Sequence, residues 1–422
     1  MDNYAENIGE LKFVCIKGFL HKNFDLERFE KLSAVEWRAF INDLDFRGLS
    51  PLVWKCLSPY WSRFNIPQEI RDRLEKIHYQ SAARGTILFN QAANLIRVLN
   101  DNKIVFILLK GVYFSESLYR DISIRPMSDI DILVSKADLN SVESCLKECG
   151  YYPSTANTAF ILGDKHLIFL PKGIDLPVEL HYIPGANYIP AVREFAHIKD
   201  RALEITAAGE RTLTLSPEDS LLYVCYHITK HRYGRYTIRD LVDIGMILNH
   251  FKQGLDWEYI HKNAEEWKID NHVYTCLSIA KELLDVNISE HWLNVMKPEN
   301  YNCEILKWLK RRLTEDASKE LIKSSNIGNI LWEKGFGAKL KIFFKRCFSS
   351  ESIAVKYNLD PNSAKVYLYY FVRWKALIKS HGSSILKVLI SKTRADSEKK
   401  RYRESQKSIA IIDLWQRQSV NH

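Results

Sequence analysis

"RPMSDIDILVSKAD", residues 125–138, sets two aspartates one residue apart at the start of an apolar run. The run "IDILV" has the aliphatic, β-branched make-up of a short buried strand. Side chains alternate faces along a strand, so Asp129 and Asp131 point the same way with Cα atoms about 6.6 Å apart. Ile130, Ile132 and Val134 take the other face and supply its burial. Two ionised carboxylates beside a core repel each other and need a compensating cation. A divalent metal meets that need, and carboxylate oxygens suit Mg²⁺ or Mn²⁺. The alternative is the polar, solvent-facing side of an edge strand that holds no metal.

Upstream, "KIVFILLKG" (103–111) reads as a buried strand ended by glycine, and "VYFSESLYR" after it has helical spacing. Downstream, "KADLNSVESCLKECG" reads as a helix stopping at Gly150. "KHLIFL" (165–170) and "DLPVELHY" (175–182) flank "PKGI" and read as two hairpin strands. This order describes a small α/β or α+β domain with helices on one face of a mixed sheet. In "PVELHY", Val178 and Leu180 face the core, which puts Glu179 and His181 together on the opposite face. A two-metal arrangement needs a third carboxylate. Glu179 is the stronger candidate, since Asp175 sits at the turn.

The flanks are helical. Apolar residues recur at three and four residue spacing up to about residue 90, and again from "SPEDSLLYVCYHITKHRY" to about residue 347. In the second stretch Ser216 is the expected N-cap, with Pro217 first in the helix and Asp219 three after the cap. The division expected is 1–90 N-terminal helical, 91–215 α/β core, 216–347 helical and 348–422 a basic helical extension. His227 and His231 lie four apart on one helix face, where packing with hydrogen bonding, metal binding, and a catalytic or nucleotide-facing role are all open. Asp240 and Asp243 in "RDLVDIG" are similarly ambiguous.

With 46% hydrophobic and 26% charged residues in 422, the chain has the composition of a folded, water-soluble protein. Its net charge of +9 is uneven: residues 301–403 carry 23 Lys/Arg against 9 Asp/Glu, while residues 1–300 carry a net −5. A basic C-terminal third suits nucleic acid or an anionic membrane surface, and equally a solvated set of helices. "KLKIFFKRCF" and "YFVRWKALIKSHGSSILKVLISK" have the mixed lysine and apolar pattern of interfacial helices. The eight cysteines form no CxxC pair and read as reduced thiols; Cys145 and Cys149, four apart, offer half a zinc site that no second pair completes. No signal-peptide pattern and no apolar run of about 18 residues is present, so a cytoplasmic location is expected.

The order glycine-ended strand, helix, "DID" strand, later "hEh" strand resembles the nucleotidyltransferase superfamily, with its DNA polymerase beta-like fold. It is most similar to the bacterial uncharacterised nucleotidyltransferases. The matching stretches are "FRGLSPLVWKCL" (46–57), "FILLKGVYFSESLYRDISIRPMSDIDILV" (106–134), "VELHY" (178–182) and "LLYVCYHITKHRYGRYTIRDLVDIGMIL" (221–248). The resemblance implies an α+β fold: a small mixed-sheet core with helices on one face, embedded between N-terminal and C-terminal helical regions. It implies that Asp129, Asp131 and Glu179 are metal ligands for Mg²⁺ or Mn²⁺, with Glu179 activating the acceptor hydroxyl. Gly111 matches the glycine whose amides meet the triphosphate, although "KG" stands where most of the superfamily has Gly-Ser.

Lys110 then offers a point charge to the phosphates, or is a strand-end lysine with a wet head. Arg125 could neutralise a phosphate or pair with an acid. The family pattern favours His231 and Asp240 a little as nucleotide-facing groups. The implied activity is transfer of a nucleoside monophosphate from an NTP, with ATP among the candidates, to a hydroxyl of a small molecule, a peptide or sugar intermediate, or an RNA end. The competing class is a non-catalytic nucleotide- or RNA-binding protein with the same fold. Retention of all three acids speaks against it.

Overall fold

The computed structural model describes residues 2–154, 166–171, 176–182, 195–230, 233–234, 236–299 and 301–315, without the side chains of residues 2–7, His166, Lys230 and Gln253. All of these belong to one compact unit. His231, Asp175 and the basic extension 348–422 lie outside the described residues, as do both basic amphipathic segments.

Five helices come first: α1 (Asp2–His21), α2 (Glu27–Glu30), α3 (Ala34–Arg47), α4 (Ser50–Leu57) and α5 (Gln68–Asp101). The core follows with β1 (Phe106–Leu108), α6 (Gly111–Tyr113), which continues as a π-helical turn to Leu118, β2 (Ile130–Val134), α7 (Leu139–Glu148), β3 (Tyr151–Pro153), β4 (His166–Pro171), β5 (Val178–His181), α8 (Phe195–Arg201), β6 (Leu203–Ala207) and β7 (Glu210–Thr214). A helical layer completes the chain: α9 (Pro217–Lys230), α10 (Thr237–Phe251), α11 (Trp257–Glu266), α12 (Asp270–Leu284), α13 (Glu290–Val295) and α14 (Glu304–Thr314).

The α+β class implied by the resemblance is the one observed, with a wider sheet. Seven strands run in the order β3-β4-β5-β2-β1-β7-β6. The β2–β5 and β1–β7 pairs are parallel and the others antiparallel. The β4–β5 hairpin forms as expected. The β6–β7 hairpin adds two strands that the sequence reading passed over. Its turn is Ala208 and Gly209 at φ +50° and +80°, the left-handed pair of a two-residue hairpin loop.

Burial is not confined to one face. Every residue of β2 is buried. Ile107 and Leu133 pack with Ile198 of α8 and Tyr223 of α9; Leu108, Ile132 and Val134 on the opposite face are fully buried as well. Parallel pairing at the centre of the sheet goes with cover on both sides.

α5 runs unbroken across the boundary expected at residue 90 and ties the N-terminal helices to the sheet. From it, the Gln91 side chain bonds to the Tyr151 hydroxyl and to the Leu176 carbonyl, and the Leu176 N–H donates to Gln91 Oε1 at 2.9 Å. α1 and α3 are joined by a fully buried charge cluster: Lys12 Nζ lies 2.8 Å from Asp43 Oδ2, and Arg47 Nε 2.9 Å from Asp43 Oδ1. α3 then ends at Gly48, whose φ of +70° is the left-handed C-cap that glycine adopts freely. α9 starts as expected, with the Asp219 N–H donating to Ser216 Oγ at 3.1 Å.

His272 on α12 is fully buried, and burial pulls its pKa down from 6.5 to about 3. A histidine depressed in the fold is protonated more readily in the unfolded chain. Stability from this group is complete above pH 6.5 and is lost as pH falls from there towards 3. Urea unfolding between pH 4 and 6 is expected to show stability rising by up to about 1.4 kcal/mol per pH unit from this one group. The excess slope over a His272→Leu variant measures it.

Candidate active site

β2 and β5 lie side by side in parallel register, with Asp131 opposite Glu179 and Leu133 opposite His181. Val178 and Leu180 are wholly buried on the far face, which fixes Glu179 and His181 on the acid-bearing face. Ligating atoms of Asp131, Glu179 and His181 all fall within 4.8 Å of one another, the one such cluster of His, Cys, Asp or Glu among the described residues. His181 Nε2 sits between the two acids, 3.0 Å from Asp131 Oδ1 and 3.7 Å from Glu179 Oε2. The spacing in "VELHY" put His181 on the right face; what sequence reasoning missed was its reach across the register to Asp131.

Asp129 comes just before β2, half-buried, with Ser128 Oγ donating to its Oδ2 at 3.0 Å. It stands outside the tight three-residue cluster but feels Asp131. Burial, and then the Asp131 charge, raise its pKa, with Lys110 opposing. Asp131 goes the other way. Burial alone would raise it, but Lys110 and the His181 hydrogen bond hold it far below the usual carboxylate range. The neighbouring acids are thus pushed apart, one ionised and one drawn towards protonation, as expected of a carboxylate pair short of positive charge.

Lys110 N-caps α6 and places Nζ 3.7 Å from Asp131 Oδ2 and 5.7 Å from the Tyr223 ring centre. Gly111 opens α6 behind it, and a Cβ there would make only ordinary contact with Met127. Arg125 is buried and bidentate to Asp243 of α10, with Nε to Oδ1 at 2.8 Å and Nη2 to Oδ2 at 2.7 Å. Of the two roles open to it, pairing with an acid is the one realised in this geometry.

A cavity of about 630 Å³ fronts the acids. Lys110, Gly111, Asp129 and Asp131 line its core side, and His227, Tyr236, Arg239 and Asp240 line the side formed by α9 and α10. Asp45, Gly48 and Arg84 bring the N-terminal helices to it. His227 Nδ1 lies 3.0 Å from Asp240 Oδ2. Burial would raise Asp240, and His227 more than reverses that, leaving Asp240 well below the normal range. Arg239 Nη1 donates to the Pro126 carbonyl at 3.2 Å, while its buried Nε has no acceptor among the described residues. The sequence reading overlooked Arg239 and Arg84: Arg239 opens "RDLVDIG", where attention went to the two aspartates, Arg84 stands in no motif, and only packing of distant helices brings them together.

A parallel β2–β5 pair bearing facing acids beside a cation-lined cavity is the arrangement of a nucleotidyltransferase, and the chain is an enzyme of that class. Residues 33–285 match the model of the uncharacterised nucleotidyltransferase family, and the chain belongs to that family. No curated protein matches it. The solution structure of the antibiotic-resistance factor ANT(2'')-Ia is similar over 42% of this chain and 88% of that one, at 10% identity and a TM-score of 0.29. That likeness is too slight to bear on substrate.

Proposed function

We propose that the protein transfers a nucleoside monophosphate from an NTP to a hydroxyl group of an acceptor, in a reaction that depends on a divalent metal. The observation that carries this reading is the convergence of Asp131, Glu179 and His181, with ligating atoms within 4.8 Å, beside a cavity to which Lys110, Arg84 and Arg239 contribute cations and Asp129 and Asp131 their carboxylates. The carboxylates suit the metal: Asp131 and Glu179 offer the oxygen donors that Mg²⁺ and Mn²⁺ take, and Asp129 with its raised pKa is an acid in need of positive charge. Asp129, Asp131 and Glu179 would hold Mg²⁺ or Mn²⁺, with His181 as an added nitrogen donor. Such a cation, when bound, supplies charge neutralisation to the triphosphate and acidifies the attacking hydroxyl.

The chain's own residues do the rest. Lys110 and Arg239 bind the phosphates from the cavity wall, with the Gly111 backbone beside them; Arg239 Nε is buried with no acceptor among the described residues and is the donor this leaves for a phosphate oxygen. Glu179, the more exposed of the two paired acids, takes the proton from the acceptor hydroxyl. The new bond joins the acceptor oxygen to the α-phosphorus, and the bond to the bridging oxygen breaks, so pyrophosphate leaves with the electron pair.

The experiment is incubation with each labelled NTP, Mg²⁺ or Mn²⁺, and a cell lysate, with mass spectrometry asking what gains a nucleotide. Glu179→Gln is expected to keep NTP binding and lose about 10²- to 10⁴-fold in transfer. Loss of binding instead would make Glu179 a holder of the nucleotide's metal rather than the proton acceptor.

A further inference from the structure

A second cavity, of about 320 Å³, opens off the first. Asp45, Gly48, Arg84, Arg125, Pro126 and Met127 line both, so the two adjoin across shared walls. The wall contributed by α5 is a single stripe of Ile77, Gln80, Ser81, Arg84 and Gly85, spaced as one helix face. That stripe is polar at its centre, unlike the apolar face α5 presents elsewhere through Leu88, Leu95 and Leu99. At its end, a Cβ on Gly85 would come within 2.8 Å of the Ile122 carbonyl oxygen, so glycine lets helix and loop close there.

The chemistry of the slot is specific. Ile77, Pro51, Ile122 and Met127 provide apolar walls. Ser81 Oγ is buried without a hydrogen-bond partner among the described residues. Arg84, at the junction, is exposed and makes no ion pair among the described residues. Asp45, also at the junction, is already engaged by Arg73 and Ser50.

The side of the acids from which this space is reached decides its occupant. Glu179 and His181, on β5, line neither cavity, whereas Lys110 and Gly111, beyond β1, line the larger one. On the reading proposed above, the acceptor comes in over β5 to Glu179 and the nucleotide fills the β1 side. The slot therefore continues the nucleotide's space, away from the acceptor.

We propose that this slot, between α5 and the loop of residues 122–127, is the nucleobase subsite. The flat faces of a base meet Ile77, Ile122 and Met127. Its edge meets the Gln80 amide and the Ser81 hydroxyl, each able to donate and to accept. Arg84 reaches the ribose or the α-phosphate from the junction. A volume of this order suits a base with part of its sugar. The N-terminal helices thereby become part of the substrate site rather than a separate support.

The inference rests on the nucleotidyl-transfer reading, and its test separates the two. Binding of the four ribonucleoside triphosphates and of tripolyphosphate, which lacks a base, is measured by calorimetry with Mg²⁺ for the wild type, Gln80→Ala and Ser81→Leu. Circular dichroism and melting check each fold; Gln80 is exposed, so its variant tests the idea even if Ser81→Leu is unstable.

The expected result is a tenfold or greater loss of affinity for the tightest NTP in both variants, with tripolyphosphate binding within twofold of wild type. Unchanged NTP binding in both variants overturns the subsite and leaves the transfer reading standing. So does unchanged NTP binding with lost transfer, which would give the slot to the acceptor. A third variant, Tyr236→Ala, is measured alongside them: loss of NTP binding there, with Gln80→Ala and Ser81→Leu at wild-type affinity, would move the base to the larger cavity. If the wild type binds neither NTP nor tripolyphosphate, the transfer reading itself fails.

Discussion

Asp131→Asn is expected to lower nucleotidyl transfer by about 10³-fold or more, roughly 4 kcal/mol of transition-state stabilisation, while the protein still folds. The activity loss follows from position. Asp131 makes the shortest contact of the cluster, 3.0 Å to His181 Nε2, and also faces Lys110 and Glu179. Its carboxylate is also the one held ionised.

The fold is expected to survive because Asn keeps an acceptor for His181, and because Lys110 still has Asp129 nearby. Removing the Asp131 charge takes away one of the two causes that raise Asp129, so Asp129 ionises more readily and takes over the pairing. The checks are a transfer assay, Mn²⁺ binding by electron paramagnetic resonance, and melting. Near-wild-type transfer would remove Asp131 from the metal site, whereas a collapsed melting temperature would make it structural.

What was legible in the sequence was the part governed by local period. The alternation in "DID" and "VELH" places Asp129, Asp131, Glu179 and His181 on one face without knowledge of the fold, and the burial of Ile130, Ile132, Val178 and Leu180 agrees. The parallel register that sets Asp131 opposite Glu179 is a long-range pairing, and no local signal carries it. β6 and β7 went unread for a different reason. "LEITA" and "TLTL" do alternate around the turn, but the alternation does not mark a core face: β6 is largely exposed, and in β7 the buried residues are Thr212 and Thr214.

The helical period of α5 carries through residue 90 to Asp101, so the edge expected there falls inside a helix and not at a change of period. The basic cavity wall was the least legible part. Arg84 lies on α5, Lys110 after β1 and Arg239 on α10, and only tertiary packing assembles them. Arg125 was left between two roles, and the choice depended on Asp243, 118 residues away.

Asp243→Ala is expected to destabilise the fold by about 3–5 kcal/mol, a large share of a typical domain's stability. Asp243 is 1% exposed and takes three hydrogen bonds: two from Arg125 and one at 2.7 Å from the Tyr119 hydroxyl. Alanine would leave a buried guanidinium with no carboxylate on it, which costs far more than losing a surface pair. The damage also reaches the active site. Arg125 lies four residues before Asp129, and its clasp on α10, with the Arg239 bond to Pro126, holds the strand-free run that delivers Asp129 to the cavity.

Urea unfolding of the single variant and of an Arg125→Met/Asp243→Leu double variant separates structure from chemistry. The double variant removes both charges at once and is expected to recover most of the stability. If Arg125 is spent on Asp243, that double variant also binds NTP within a few-fold of wild type. A stable double variant that no longer binds NTP would return Arg125 to the phosphates, and a cost below about 1 kcal/mol for Asp243→Ala would mean that the pair is solvated after all.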